Sequence, residues 1–169
     1  MVGIRPAAEI EAEVEGAVRS HRRRLEGLLP QAEVVHVGST AVPGALTKGD
    51  VDLLVRVGGC EFDLAVRTLC SVYAIHQPEN STATYASFVD PAAGGPPVGV
   101  QLVVSGSHED ALFEPFIEAL TRDKALLAAY NALKRRLDGA DYERYTREKG
   151  DFVERVLSRR AAGSGDGSE

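Results

Sequence analysis

From His108 onward the hydrophobic pattern of this 169-residue chain keeps a helical period, and that limits what the chain can fold into. Upstream, short runs rich in β-branched residues alternate with turn signals. AEVVHV, DVDLLVRV, TATYASFVD and VGVQLVVSG each predict a strand. Two upstream stretches have helical spacing. Residues 8–29 place Ile10, Val14, Ala17, Val18, Leu25, Leu28 and Leu29 on one face, and Pro30 closes the run. EFDLAVRTLCSVY places Phe62, Ala65, Val66 and Leu69 on one side. Downstream, Leu112, Phe116, Leu120, Leu127, Tyr130, Leu133 and Leu137 predict one long helix or two shorter ones. DGAD breaks it, and a last helix runs from Tyr142 to about Arg160. Crossover helices are too few for a doubly wound sheet. The expected fold class is α+β, a mixed sheet with flanking helices and a helical C-terminal third. A single domain is expected over 1–169, with a core at 8–107, helices at 108–160 and a tail at 161–169 whose composition predicts disorder.

Charge narrows the partners. Nineteen basic residues against 25 acidic ones leave −6, and no aromatic-plus-basic stripe is present, which argues against nucleic acid. The RSHRRR run spreads Arg19, Arg22, Arg23 and Arg24 around a helix, as a solvated face does. The apolar runs fall far short of the ~20 residues of a membrane span, and the opening residues lack the apolar centre of a secretion signal. Cys60 and Cys70 form no disulfide framework, so reduced thiols and a cytoplasmic location are expected. Cys70, within VRTLC, is expected as a small core residue. His21, His76 and His108 show no metal-ligand spacing.

The chemistry concentrates in HVGSTAVPGALTKGDVDLLV, from His36 to Val55. Asp50 and Asp52 are two apart on a strand and so share a face. Two adjacent carboxylates repel unless a cation lies between them, and Mg²⁺ (or Mn²⁺) suits such a pair because it is completed by substrate phosphates. Eleven residues before Asp50, Gly38-Ser39 ends the preceding strand. Glycine lets the backbone approach a phosphate, and amides and the Ser39 hydroxyl donate to it. Gly-Ser followed by a strand bearing Asp-x-Asp resembles the nucleotidyltransferase superfamily pattern.

HVGSTAVPG is more narrowly similar to the signature of the GrpB family (UPF0157 type), and FIEALTRDKALLAAYNALK and YTREKGDFV are similar to that family's C-terminal pattern. The resemblance implies a nucleotidyltransferase-like fold. It matches Lys48, Asp52, Tyr145 and Lys149 to family positions, whereas Asp50 is additional and Ile117 stands where the family has Arg. Asp50 and Asp52 are thus the expected catalytic and metal-binding acids. Gly38, Ser39, Thr40, Lys48, Tyr145, Lys149 and His36 are the expected nucleotide or phosphate contacts. The resemblance also implies a third carboxylate on a later strand, which active nucleotidyltransferases usually have. The strand VGVQLVV offers Gln101, which cannot take a proton, and Asp90 is the nearby acid that could join the metal set, although a strand-end Asp also suits a turn. His36, Thr40 and Pro43 also suit packing and loop-shaping roles.

The expected activity is Mg²⁺-dependent transfer of a nucleotidyl group from an NTP to an acceptor. The alternative is a catalytically weak or inactive nucleotide- or phosphometabolite-binding module. A third possibility is a partner-binding domain whose C-terminal helices form a homodimer seam.

Overall fold

The computed structural model describes residues 1–90 and 94–163. A short strand β1 (Arg5–Pro6) and a 3-10 turn precede helix α1 (Glu11–Leu28). There follow β2 (Glu33–Val37), β3 (Leu46–Thr47), β4 (Val51–Val57), α2 (Phe62–Cys70), β5 (Ala74–His76), β6 (Tyr85–Val89) and β7 (Val98–Val104). Helices α3 (Glu114–Arg122), α4 (Lys124–Arg136) and α5 (Tyr142–Gly163) complete the described chain. The predicted helical stretch after His108 is thus two helices. Asp123 divides them, capping α4 by accepting from the amides of Ala125 and Leu126. The last helix runs beyond the expected Arg160 to Gly163, inside the predicted tail, and residues 164–169 lie outside the described residues. The glycine- and proline-rich loop before β7 falls partly outside them as well, at 91–93.

Among the described residues, the main sheet has the order β2-β4-β7-β6-β5. β4 and β7 are parallel and the other neighbours antiparallel, so the sheet is mixed, as the α+β reading expects. Edge strand β5 and the β1–β3 pair are additions that the sequence pattern did not suggest. Strands of two or three residues are too short to show a period.

The alternation of each strand separates two faces. Val51, Leu53, Val55 and Val57 of β4 pack with Val14 and Leu25 of α1 and with Phe62, Ala65 and Leu69 of α2. On the opposite face, Leu54 joins Val37 and Val103 beneath Phe113 and Ile117. The three C-terminal helices build their own aromatic cluster. Phe116 meets Tyr130 edge-on at 5.3 Å, and Phe152 lies 5.4 Å from Tyr130. Val42 and Ala45, from the loop after the Gly-Ser bend, pack into that cluster and tie the bend to the helices.

Cys70 departs from expectation. It is exposed, as is Cys60. The inward stripe of α2 runs through Phe62, Ala65 and Leu69, and the next residue turns about 100° away from Leu69 into solvent.

Candidate functional site

Asp52 lies second in β4, flanked in register by Val37 of β2 and Gly99 of β7. The adjacent Gly38 has φ +77°, a backbone conformation that L side chains rarely adopt, and a Cβ there would collide with Asp52 Oδ2. A Cβ on Gly99 would come within 3.1 Å of Oδ1. The Asp52 carboxylate therefore fits between two glycines on neighbouring strands. Asp50, just before β4, points to the same side, and its Oδ2 pairs with Lys48 Nζ at 2.8 Å. The two acids and the Gly-Ser bend do converge.

Bracing behind the bend comes from two residues expected to touch phosphate. Thr40 Oγ1 donates to the Asp50 carbonyl at 3.3 Å and lies 3.0 Å from His36 Nε2. With its own hydrogen so used, Thr40 accepts from the imidazole, which fixes the Nε2–H tautomer. Burial, reinforced by Arg22, lowers the His36 pKa and keeps the ring neutral. His36 and Thr40 hold the strand mouth against the bend.

Helix α5 supplies Lys149, which lines the same cleft as Ser39, Lys48, Asp50 and Asp52. Burial works against its ammonium, but Tyr130, Asp52, Tyr145 and Asp50 outweigh burial and hold its pKa above the ordinary lysine value. Tyr145 lies instead in a core cluster with Val2, Leu133 and Leu137, and burial pushes its phenol up to about 12. Its neighbours on the helix, Tyr142 and Thr146, line the cleft.

A lysine that the sequence reading did not single out completes the cluster. Lys134 of α4 is 1% exposed, and its Nζ donates to Ser39 Oγ and to the Leu46 carbonyl. It also lies 4.3 Å from the centre of the Tyr130 ring. Burial, reinforced by Lys149, lowers its pKa to about 7 against the upward pull of Asp50 and Asp52. The signal was present, because Lys134 lies one turn after Tyr130 on the apolar face of α4, where a solvated lysine does not belong. Asn131, on the same helix, accepts from the Leu46 amide at 2.8 Å and donates to the Gly44 carbonyl at 2.9 Å. α4 thus grips the loop that follows the bend.

Asp52 is the most perturbed acid of the site. Burial, then Asp50, raises its pKa from 3.8 to about 6, against Lys149, Lys48 and Lys134. Asp90 lines the same cleft but does not cluster with Asp50 and Asp52. Its carboxylate faces α1, 3.4 Å from His21 Nε2 and 3.7 Å from Arg24. Gln101 lies on the site's face, but its Oε1 accepts from the Tyr85 hydroxyl at 2.6 Å. Among the described residues, no three His, Cys, Asp or Glu side chains cluster as a metal site. The neighbouring carboxylates of Asp50 and Asp52 are a donor set that would fit one hard cation completed by other oxygen ligands.

The cleft encloses about 530 Å³, within the range of small-molecule sites. Its lining combines the acids Asp50 and Asp52 and the lysines Lys48 and Lys149 with the apolar Phe113, Phe116, Ile117 and Leu120.

The family model described as GrpB protein matches residues 8–159. A UPF0157 protein of Vibrio cholerae is 34% identical over 151 residues, covering 89% of this chain and 79% of that protein. One from Deinococcus radiodurans is 35% identical over 146 residues, covering 83% and 74%. The crystal structure of the conserved protein GrpB from Enterococcus faecalis superposes with TM-score 0.71 at 17% identity, over 93% of this chain and 98% of that one. The Cid1 poly(U) polymerase bound to MgGTP superposes with TM-score 0.55 at 18% identity, over 76% of this chain and 42% of that one. The chain spans less than half of the polymerase, with which it shares the nucleotidyltransferase-like fold.

Proposed function

The chain belongs to the GrpB family, and on that footing we propose that its cleft binds a nucleoside triphosphate and transfers the nucleotidyl group to an acceptor. One observation carries this reading: the Asp52 carboxylate lies between Gly38 and Gly99, with Asp50 and Ser39 beside it at one strand mouth.

The side chains divide the work. Lys134 donates to Ser39 Oγ, which leaves the Ser39 proton free to be given to a phosphate oxygen. Lys48 and Lys149 supply positive charge on the cleft wall. Asp50 and Asp52 would hold a single Mg²⁺ or Mn²⁺ with the phosphates, and its chemistry is to neutralise charge on the departing pyrophosphate. The acceptor oxygen attacks the α-phosphorus as the bond to the bridging oxygen breaks, pyrophosphate departs, and a hydroxyl acceptor gives its proton to water. Pre-positioning of the two partners supplies most of the acceleration. The net charge of −6 favours a small molecule or protein as acceptor over an RNA end.

A second reading is binding without turnover. It is favoured by the pairing of Asp90 with α1 and by the engagement of Gln101 with Tyr85, so that among the described residues no third acid clusters with the pair. Calorimetry with ATP, CTP, GTP and UTP in Mg²⁺ or Mn²⁺ tests both readings. Binding by the wild type is expected, and Asp52→Asn is expected to lose the part of it that depends on Mg²⁺ or Mn²⁺. Absence of binding to every nucleotide refutes both. Pyrophosphate release over hours separates them, since a binding module releases none.

A further inference from the structure

One acid of this cleft is already paired with a cation, and a second ammonium shares its wall. Lys48 Nζ is 2.8 Å from Asp50 Oδ2 and 5.2 Å from the centre of the Tyr142 ring. Lys149 reaches the same wall from α5, and its charge bears on both carboxylates. Lys134 stands behind Ser39 and turns that hydroxyl outward as a donor. The cleft wall therefore carries two ammonium groups against two carboxylates, with a third lysine one layer back. A bare divalent cation entering here meets one ligand already paired with an ammonium and a second ammonium on the same wall. A chain of linked phosphates meets two ammoniums and a hydroxyl donor, and can draw Lys48 off Asp50 without leaving that side chain in a buried, unpaired state. Lys48 and Asp50 are 25% and 22% exposed, so both can exchange partners through water.

We propose that this cleft is a polyphosphate seat that fills without a divalent cation: Lys48, Lys149 and Ser39 take the phosphates first, and Asp50 becomes available to a metal only once Lys48 has moved onto them. The ligand class is any compound with two or more linked phosphates, and Lys134 is a positioning residue acting through Ser39. The inference rests on the nucleotide-binding reading of the site but not on transfer.

Inorganic triphosphate and Mn²⁺ are the probes, each titrated alone into the full chain. Triphosphate is expected to bind in EDTA by calorimetry, and Mn²⁺ alone is expected to leave its free-ion spin-resonance signal unchanged. Lys149→Met is expected to weaken triphosphate about tenfold or more, the loss of one charge-assisted contact, and Lys149→Arg to restore it. Lys48→Met, at the partly exposed rim, is expected to move the two ligands in opposite directions: triphosphate in EDTA weaker, Mn²⁺ alone tighter. A merely structural lysine would not produce that opposition. The inference is overturned if triphosphate binds only with Mn²⁺ present, or if Mn²⁺ binds the wild type alone. If ATP with Mg²⁺ binds while triphosphate in EDTA does not, this inference alone fails. If neither binds, the nucleotide reading fails with it.

Discussion

Replacing Asp52 by Asn should stabilise the fold while abolishing its function. The native state holds the Asp52 proton to about 6, whereas an ordinary aspartate releases it near 3.8. Between those values the native state binds more protons than the unfolded chain, so stability from this group falls as pH rises through that window. Above pH 6 the full penalty of an ionised Asp52 is present, ~3 kcal/mol by the gap between the two values. Asparagine keeps the shape of the protonated acid and never ionises, so it escapes that penalty. For a chain of this size ~1 kcal/mol moves Tm by roughly 2–4 °C. Local relaxation around the carboxylate reduces the gain, and a rise of at least ~3 °C is expected at pH 8. At pH 4, where most of the penalty has gone, the two proteins should melt together. Thermal unfolding followed by circular dichroism across pH 4–8 provides the test. An Asn variant that melts below the wild type at pH 8, or whose Tm difference does not change with pH, refutes the claim that Asp52 is a strained, desolvated acid retained for ligand binding.

Three further outcomes follow from the geometry. Gly99→Ala puts a methyl 3.1 Å from Asp52 Oδ1, so nucleotide affinity should fall about tenfold or more while the far-ultraviolet spectrum stays native, as calorimetry and circular dichroism would show. Leu69→Ala empties a fully buried position between α2 and the sheet and should cost about 2–5 kcal/mol in urea unfolding, with nucleotide affinity unchanged because the cleft lies on the opposite face. Both cysteines are exposed, so a disulfide reagent should titrate two thiols in the native protein; a single reactive thiol would place Cys70 back in the core.

How much of this was legible beforehand depends on the range of the interactions involved. The existence of α1, β2, β4, α2, β6 and β7 follows from periodicity, which acts over a few residues, whereas the pattern after His108 left open one long helix or two shorter ones, a choice that Asp123 settles by capping α4. The shared face of Asp50 and Asp52 follows from the two-residue repeat of a strand, and the Gly38-Ser39 bend from chain chemistry at one turn. Cys70 was misplaced because an apolar neighbourhood in sequence does not say which side of a helix a residue takes.

The sequence by itself therefore determined the longer elements, the acid pair and the bend, because each is set by neighbours along the chain. Only the tertiary structure decided that β7 runs beside β4 and puts Gly99 against Asp52, 47 residues away in sequence. It also decided that Lys134 and Lys149 arrive from two helices to meet those acids, and that Asp90 turns to α1 instead. Strand order and helix docking depend on how whole faces bury against one another. That is a property of distant residues together, which no local pattern encodes.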